Sequence, residues 1–170
     1  MKKIFLFLCL FLALQGSAQF SKATLQASGL TCAMCSKAVY KALSAIPFVA
    51  KVQPDIEASS YDIAFKQGSK VDLDALSKAV VNAGFSVSML KATVNFNEAK
   101  VQNNAHVTQN DQLFHFLNVS PQTLNGEKTV MLLDRNFVTA KDFKKNEKLT
   151  TMACYGTGMM DGRRVYHVTM

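Results

Sequence analysis

Residues 23–47 read ATLQASGLTCAMCSKAVYKALSAIP, and this stretch decides the first half of the fold. Its opening, Ala23 to Gly29, alternates weakly and carries Thr24 and Leu25, as a short strand does. Gly29-Leu30-Thr31 breaks the alternation. From Met34 the spacing turns helical. Ala38, Val39, Ala42, Leu43 and Ile46 share one side, Lys37, Lys41 and Ser44 take the other, and Pro47 ends the run. Between strand and helix stands Cys32-Ala33-Met34-Cys35, two cysteines on a loop that becomes a helix.

The residues that follow complete a pattern. Phe48 to Ile56 reads as a second strand, with Val49 and Val52 inward and Pro54 marking an edge or a strand end. Tyr61, Ile63 and Phe65 alternate as a third strand, closed by Gly68-Ser69. Asp72 is placed to cap a second helix, whose apolar stripe is Leu73, Leu76, Ala79, Val80 and Ala83 and whose left-handed stop is Gly84. Phe85, Val87 and Met89 open a fourth strand. The order βαββαβ over residues 21–90 is the split βαβ, ferredoxin-like arrangement: one antiparallel sheet with two helices on one face.

The Cys-x-x-Cys pair carries the chemistry. Two thiolates three positions apart at a helix start can converge on one ion, and the free N–H groups and partial positive charge there favour thiolate over thiol. Lys37 and Lys41 add positive potential, and Ser21 to Ile46 holds no Asp or Glu. Soft thiolates select Cu(I), which two or three ligands satisfy. Zn(II) takes four ligands, and His106, His115 and His167 all lie in the other half, so Zn(II) and other soft or heavy ions rank below Cu(I). A thiol–disulfide redox role for the same pair is the rival reading. Against it, the chain has no Trp to precede the first cysteine, and Pro47, Pro54 and Pro121 are not placed to face the pair as a cis-proline loop.

Residues 23–90 resemble the heavy-metal-associated domain of copper chaperones and of the N-terminal modules of metal-exporting P-type ATPases. That family carries Gly-Met-Thr-Cys-x-x-Cys after its first strand, and this chain reads Gly29-Leu30-Thr31-Cys32-Ala33-Met34-Cys35. Gly84-Phe85 matches the family's Gly-Phe or Gly-Tyr pair after the second helix. Leu30 departs from the usual methionine but keeps an apolar anchor. The resemblance implies that Cys32 and Cys35 are the metal ligands, that Phe85 packs beneath their loop, and that a protein donates or accepts the ion.

Beyond Ala92 strand-like runs occupy Leu113–Val119, Lys128–Leu133, Phe137–Phe143, Leu149–Tyr155 and Val165–Thr169. Asn125-Gly126, Asp134-Arg135-Asn136 and Asp161-Gly162 read as turns between them, and the Asn- and Gln-rich stretch 97–112 reads as a loop or linker. The fold class is therefore α+β: a ferredoxin-like domain over 19–90, then a small mostly-β domain over 91–170, a curled sheet or OB-like barrel. Met152, Cys154, Met159, Met160, His167 and Met170 crowd the end of the chain. Without tight ligand spacing they read as core methionines and a core thiol in the strand Met152-Ala153-Cys154-Tyr155, and the lone histidines as surface or core residues.

The first residues read as an export signal over 1–18. Lys2 and Lys3 precede the apolar run Ile4–Leu14, and Gly16-Ser17-Ala18 offers cleavage before Gln19. That run has 11 residues, where a membrane span needs about 20. Cys9 would leave with the signal, and the three remaining cysteines are too few and too odd for a disulfide scaffold. Loss of Lys2 and Lys3 lowers Lys+Arg from 19 to 17 against 12 acids, and the net charge from +7 to +5. The charges are scattered, so a nucleic-acid partner is not expected. The expectation is a secreted or periplasmic protein, soluble after cleavage and not an enzyme, that captures, buffers or delivers Cu(I) by thiolate exchange. A metal-sensing adaptor whose second half binds a partner protein is the competing class.

Overall fold

The computed structural model describes residues 20–170; the expected signal, 1–18, lies outside them. In chain order the elements are β1 (Phe20–Ser28), α1 (Ala33–Ser44), β2 (Val49–Asp55), β3 (Ser60–Phe65), α2 (Leu73–Asn82), β4 (Ser86–Val101), β5 (Ala105–Gln109), β6 (Gln112–Phe116), β7 (Gln122–Leu132), α3 (Ala140–Asn146), a 3-10 turn (Glu147–Leu149), α4 (Cys154–Thr157), β8 (Met159–Met160) and β9 (Arg163–Thr169). The first six realise the expected βαββαβ order. The Asp72 side chain caps α2 by accepting from the Asp74 N–H at 3.0 Å, and Gly84 is left-handed with φ +90°.

One sheet runs through the molecule in the order β2-β3-β1-β4-β7-β9-β6-β5, with β8 added beside β9. Neighbours are antiparallel except β6 and β9, which are parallel. The edge strands β2 and β5 do not meet. The sheet is open, which corrects the OB-like barrel. Pro54 does lie on an edge strand, where its missing N–H costs no ladder bond.

The boundary expected at 90/91 falls inside β4. Its inward alternation does not stop at Leu90 but continues through Ala92, Val94 and Phe96, all buried. Ala92 pairs with Ala23 of β1 on one side and Val130 of β7 on the other. Leu25, Val39, Leu43, Leu76 and Val94 share a single apolar core with Phe114, Phe116, Val130 and Tyr166. The main apolar core thus runs across the 90/91 position.

Three more expectations are corrected beyond β4. Asn125-Gly126 is not a hairpin turn: Gly126 (φ +70°) sits within β7 opposite a bulge between Phe96 and Ala99, where Glu98 is also left-handed. The stretch 97–112 is not a linker but the end of β4, the hairpin strand β5 and tight turns in which Asn104, Asn110 and Asp111 take positive φ. Phe137–Phe143 and Leu149–Tyr155 are not strands. They form α3, the 3-10 turn and α4, with Phe143 stacked on Tyr155 at 4.7 Å and the Tyr155 hydroxyl donating to the Leu133 and Phe143 carbonyls. This segment joins Leu117 and Leu133 in a second small apolar cluster. Asp161-Gly162 does make the expected turn, between β8 and β9.

Candidate metal-binding loop

The chain leaves β1 through Gly29, whose φ of +85° suits glycine alone. The Cδ1 atom of Phe85 lies 3.9 Å from where a Cβ on Gly29 would stand. Leu30 and Phe85 are half-buried and pack on the main core. The loop is therefore floored by the aromatic side chain that the resemblance placed there. Leu30 anchors it as an apolar residue of similar size.

Cys32 is the N-cap of α1, with extended backbone, and its sulfur accepts from the Cys35 N–H at 3.4 Å. The two sulfurs stand 2.8 Å apart, unbonded. Cys32 is exposed and Cys35 half-buried. The Cys35 thiol is held below its ordinary value, first by the hydrogen bond from Cys32 and then by the backbone and hydroxyl of Thr31. No acidic residue occupies the first turn of α1. Ordered donors and the absence of negative charge favour the thiolate that a metal requires. Between the two cysteines, Met34 is 72% exposed.

Below the loop the first turn of α1 is tied to the sheet. The Tyr61 hydroxyl, fully buried on β3, donates to the Ser36 carbonyl at 3.2 Å and meets the Ser36 hydroxyl at 3.0 Å. Apolar packing of Val39 and Leu43 fixes the rest of the helix.

The remaining candidates lie elsewhere. Cys154 is buried at the start of α4, not in a strand. Its sulfur faces His106, His115 and His167 rather than the Cys32–Cys35 loop. Met152, Met159 and Met170 are exposed, and only Met160 packs beside Cys154. The gathering of the histidines was missed in the sequence, because it depends on which strands lie side by side.

A ferredoxin-like α+β module presenting an open dithiol at a helix start defines the class. Residues 24–86 match the family model of the heavy-metal-associated domain, so the chain carries that domain around both loop cysteines. Solved structures similar to this segment include the following three. Oxidised MerP from Ralstonia metallidurans CH34 is 33% identical, covering 39% of this chain and 92% of that one with a TM-score of 0.36. The CopZ metallochaperone is 27% identical, covering 39% and 98% with a TM-score of 0.37. The yeast copper transporter domain Ccc2a is 19% identical, covering 39% and 90% with a TM-score of 0.36. No curated protein matches the chain.

Proposed function

We propose that this chain is an exported carrier that captures, buffers or delivers a soft metal ion, Cu(I) first, on Cys32 and Cys35. The observation that carries the reading is the convergence of two unbonded sulfurs at an uncovered helix start within a heavy-metal-associated domain. Two thiolates suffice for Cu(I) and leave Zn(II) short of its four ligands. Transfer begins at Cys32, the more exposed sulfur. A partner thiolate adds to the ion there, Cys32 departs, and the half-buried Cys35 releases last. Export rests on the signal-like residues 1–18, and among the described residues no helix is long and apolar enough to cross a membrane. The ion is cargo, and the chain acts as a binding protein rather than an enzyme.

The test is competition of the reduced protein against a Cu(I) chelator of known affinity. Cys32→Ser and Cys35→Ser should each weaken Cu(I) binding by several orders of magnitude while leaving the circular dichroism spectrum unchanged. Zn(II) should bind this loop much more weakly than Cu(I). The double variant should bind one Cu(I) fewer than the wild type, and an unchanged stoichiometry would refute the reading.

A further inference from the structure

The far edge of the sheet carries a second constellation. His106 of β5 pairs with His115 of β6, and His115 pairs with His167 of β9. Residues directly opposite on neighbouring strands project to the same face. The three imidazoles therefore form one rung across three strands, on the face opposite Phe114, Phe116 and Tyr166 of the main core. The segment carrying α3 and α4 folds over that face and sets Cys154 on the rung. The Cys154 Sγ lies 3.5 Å from His106 Nε2, 3.6 Å from His115 Nδ1 and 3.5 Å from His167 Nε2.

Hydrogen bonds on the outer side of two rings fix which nitrogen faces the sulfur. His167 Nδ1 donates to Asp134 Oδ1 at 2.9 Å, and the His167 backbone N–H donates to Asp134 Oδ2 at 3.0 Å. Arg164 meets the Asp134 charge at 2.9 Å. His115 Nε2 donates to Asn104 Oδ1 at 3.1 Å. His115 is fully buried with no carboxylate hydrogen-bonded to its ring, an environment that keeps an imidazole neutral. The lone pair of His115 Nδ1 points at the Cys154 thiol, and His106 Nε2 faces the same sulfur.

A metal ion in place of the thiol proton would accept the nitrogen lone pairs that face the sulfur. An ion about 2.3 Å from sulfur and about 2.0–2.1 Å from nitrogen in tetrahedral geometry sets S···N near 3.5 Å, the separation found from Cys154 to His106 and to His115. The donor atoms of His106, His115 and Cys154 lie within 4.8 Å of one another, and His167 Nε2, 3.5 Å from the same sulfur, falls outside that trio. An oxygen acceptor behind a ligating imidazole, as Asn104 Oδ1 stands behind His115 Nε2, is the usual outer support of such a site. We propose that His106, His115 and Cys154 form a second, largely enclosed metal centre for a d10 ion, Zn(II) or Cu(I), on mixed S/N donors, with His167 packed beside its sulfur. The mixed thiolate and imidazole donors exclude Mg(II) and Ca(II). With His115, His167 and Cys154 buried and only His106 half-exposed at the sheet edge, this centre retains its ion where the Cys32–Cys35 loop exchanges one.

The experiment uses the full mature chain carrying Cys32→Ser and Cys35→Ser, reduced, so that failure of the carrier reading leaves it unaffected. Incubation with Zn(II) or with Cu(I), followed by desalting and elemental analysis, should leave one ion per chain for at least one of the two. Co(II) should give the intense visible bands of a tetrahedral ion and a sulfur-to-cobalt charge-transfer band. Adding Cys154→Ser should abolish that band, and adding His106→Ala, at the half-buried edge position, should weaken binding tenfold or more without loss of fold. The proposal is overturned if the double variant retains neither Zn(II) nor Cu(I). It is equally overturned if a retained ion is held as tightly after Cys154→Ser and His106→Ala as before.

Discussion

Arg164 of β9 grips Asp74 of α2, its Nε 2.8 Å from Asp74 Oδ2 and its Nη2 3.2 Å from Asp74 Oδ1. The same guanidinium reaches Asp134 and lies over the Tyr166 ring. It thus fastens the second helix of the heavy-metal-associated domain to the strand that carries His167. Arg164→Ala leaves the buried Asp134 with less compensation and should cost about 3 kcal/mol. Lysine cannot reproduce the forked contact, so Arg164→Lys should recover little of that loss. Urea unfolding of both variants checks this, and two near-wild-type midpoints would mean that the pair contributes nothing.

The first four strands and two helices were legible because each buries one face and its residues alternate or repeat accordingly. Leu25, Tyr61, Ile63 and Leu76 announced themselves in that way. The segment 137–157 misled because Phe137, Val138, Phe143, Met152 and Tyr155 are apolar without a clear period. A better signal was present: Thr139 and Asp142 form a reciprocal cap at the start of α3, with the Asp142 N–H donating to Thr139 Oγ1 at 3.1 Å and Thr139 Oγ1 donating to Asp142 Oδ2 at 2.6 Å. Cys32 and Cys35 could be found because their spacing is local. His106, His115, Cys154 and His167 could not, since they meet through the β5–β6 hairpin, the parallel pairing of β6 with β9 and the placement of α4 over that face, contacts that no local period encodes.

The continuity of β4 makes a specific forecast about truncation. A chain ending at Leu90 loses Ala92, Val94 and Phe96, all buried, and removes the partners of Ala23, Lys22 and Phe20 at the start of β1. It also uncovers apolar surface that Phe114 and Tyr166 cover in the full chain. The fragment 19–90 should be markedly less stable than the full chain and should self-associate. Size-exclusion chromatography and urea titration report both properties. A monomeric fragment with the full chain's midpoint would show that residues 91–170 fold independently.

Acid should weaken the metal-free protein through the histidine rung. Burial pushes His115 down to about 4, with His106 and His167 adding to the effect and Asp134 opposing it. Burial lowers His106 in the same direction. A histidine with an unfolded value near 6.5 and a folded value near 4 contributes stability that is fully present above about pH 6.5 and lost as pH falls toward 4. For His115 the span corresponds to about 3 kcal/mol. Unfolding free energies at pH 7, 5.5 and 4.5 should therefore fall steeply, and the slope should flatten in His115→Gln. An equal slope in that variant would assign the acid sensitivity to other groups.

Tyr61 governs how firmly the loop cysteines are held. Its hydroxyl is the buried partner of both the carbonyl and the hydroxyl of Ser36, and Ser36 follows Cys35 directly. The Ser36 N–H also bonds the Cys32 carbonyl at 3.2 Å, closing the turn that contains both sulfurs. Tyr61→Phe keeps the ring and its packing but strands the Ser36 hydroxyl in a dry environment, a loss of about 1–2 kcal/mol. No ligand is removed, so one Cu(I) should still bind at the loop. What should change is the rate: with the first turn less firmly anchored, Cys35 follows Cys32 off the ion more readily, and capture by a competing chelator should run severalfold faster. Stopped-flow chelator exchange reads the rate, and thermal unfolding of the metal-free protein reads the stability. Faster exchange with a lowered midpoint supports the anchoring role. A lowered midpoint with unchanged exchange would make Tyr61 a packing residue alone, and no change in either would remove it from the account of the site.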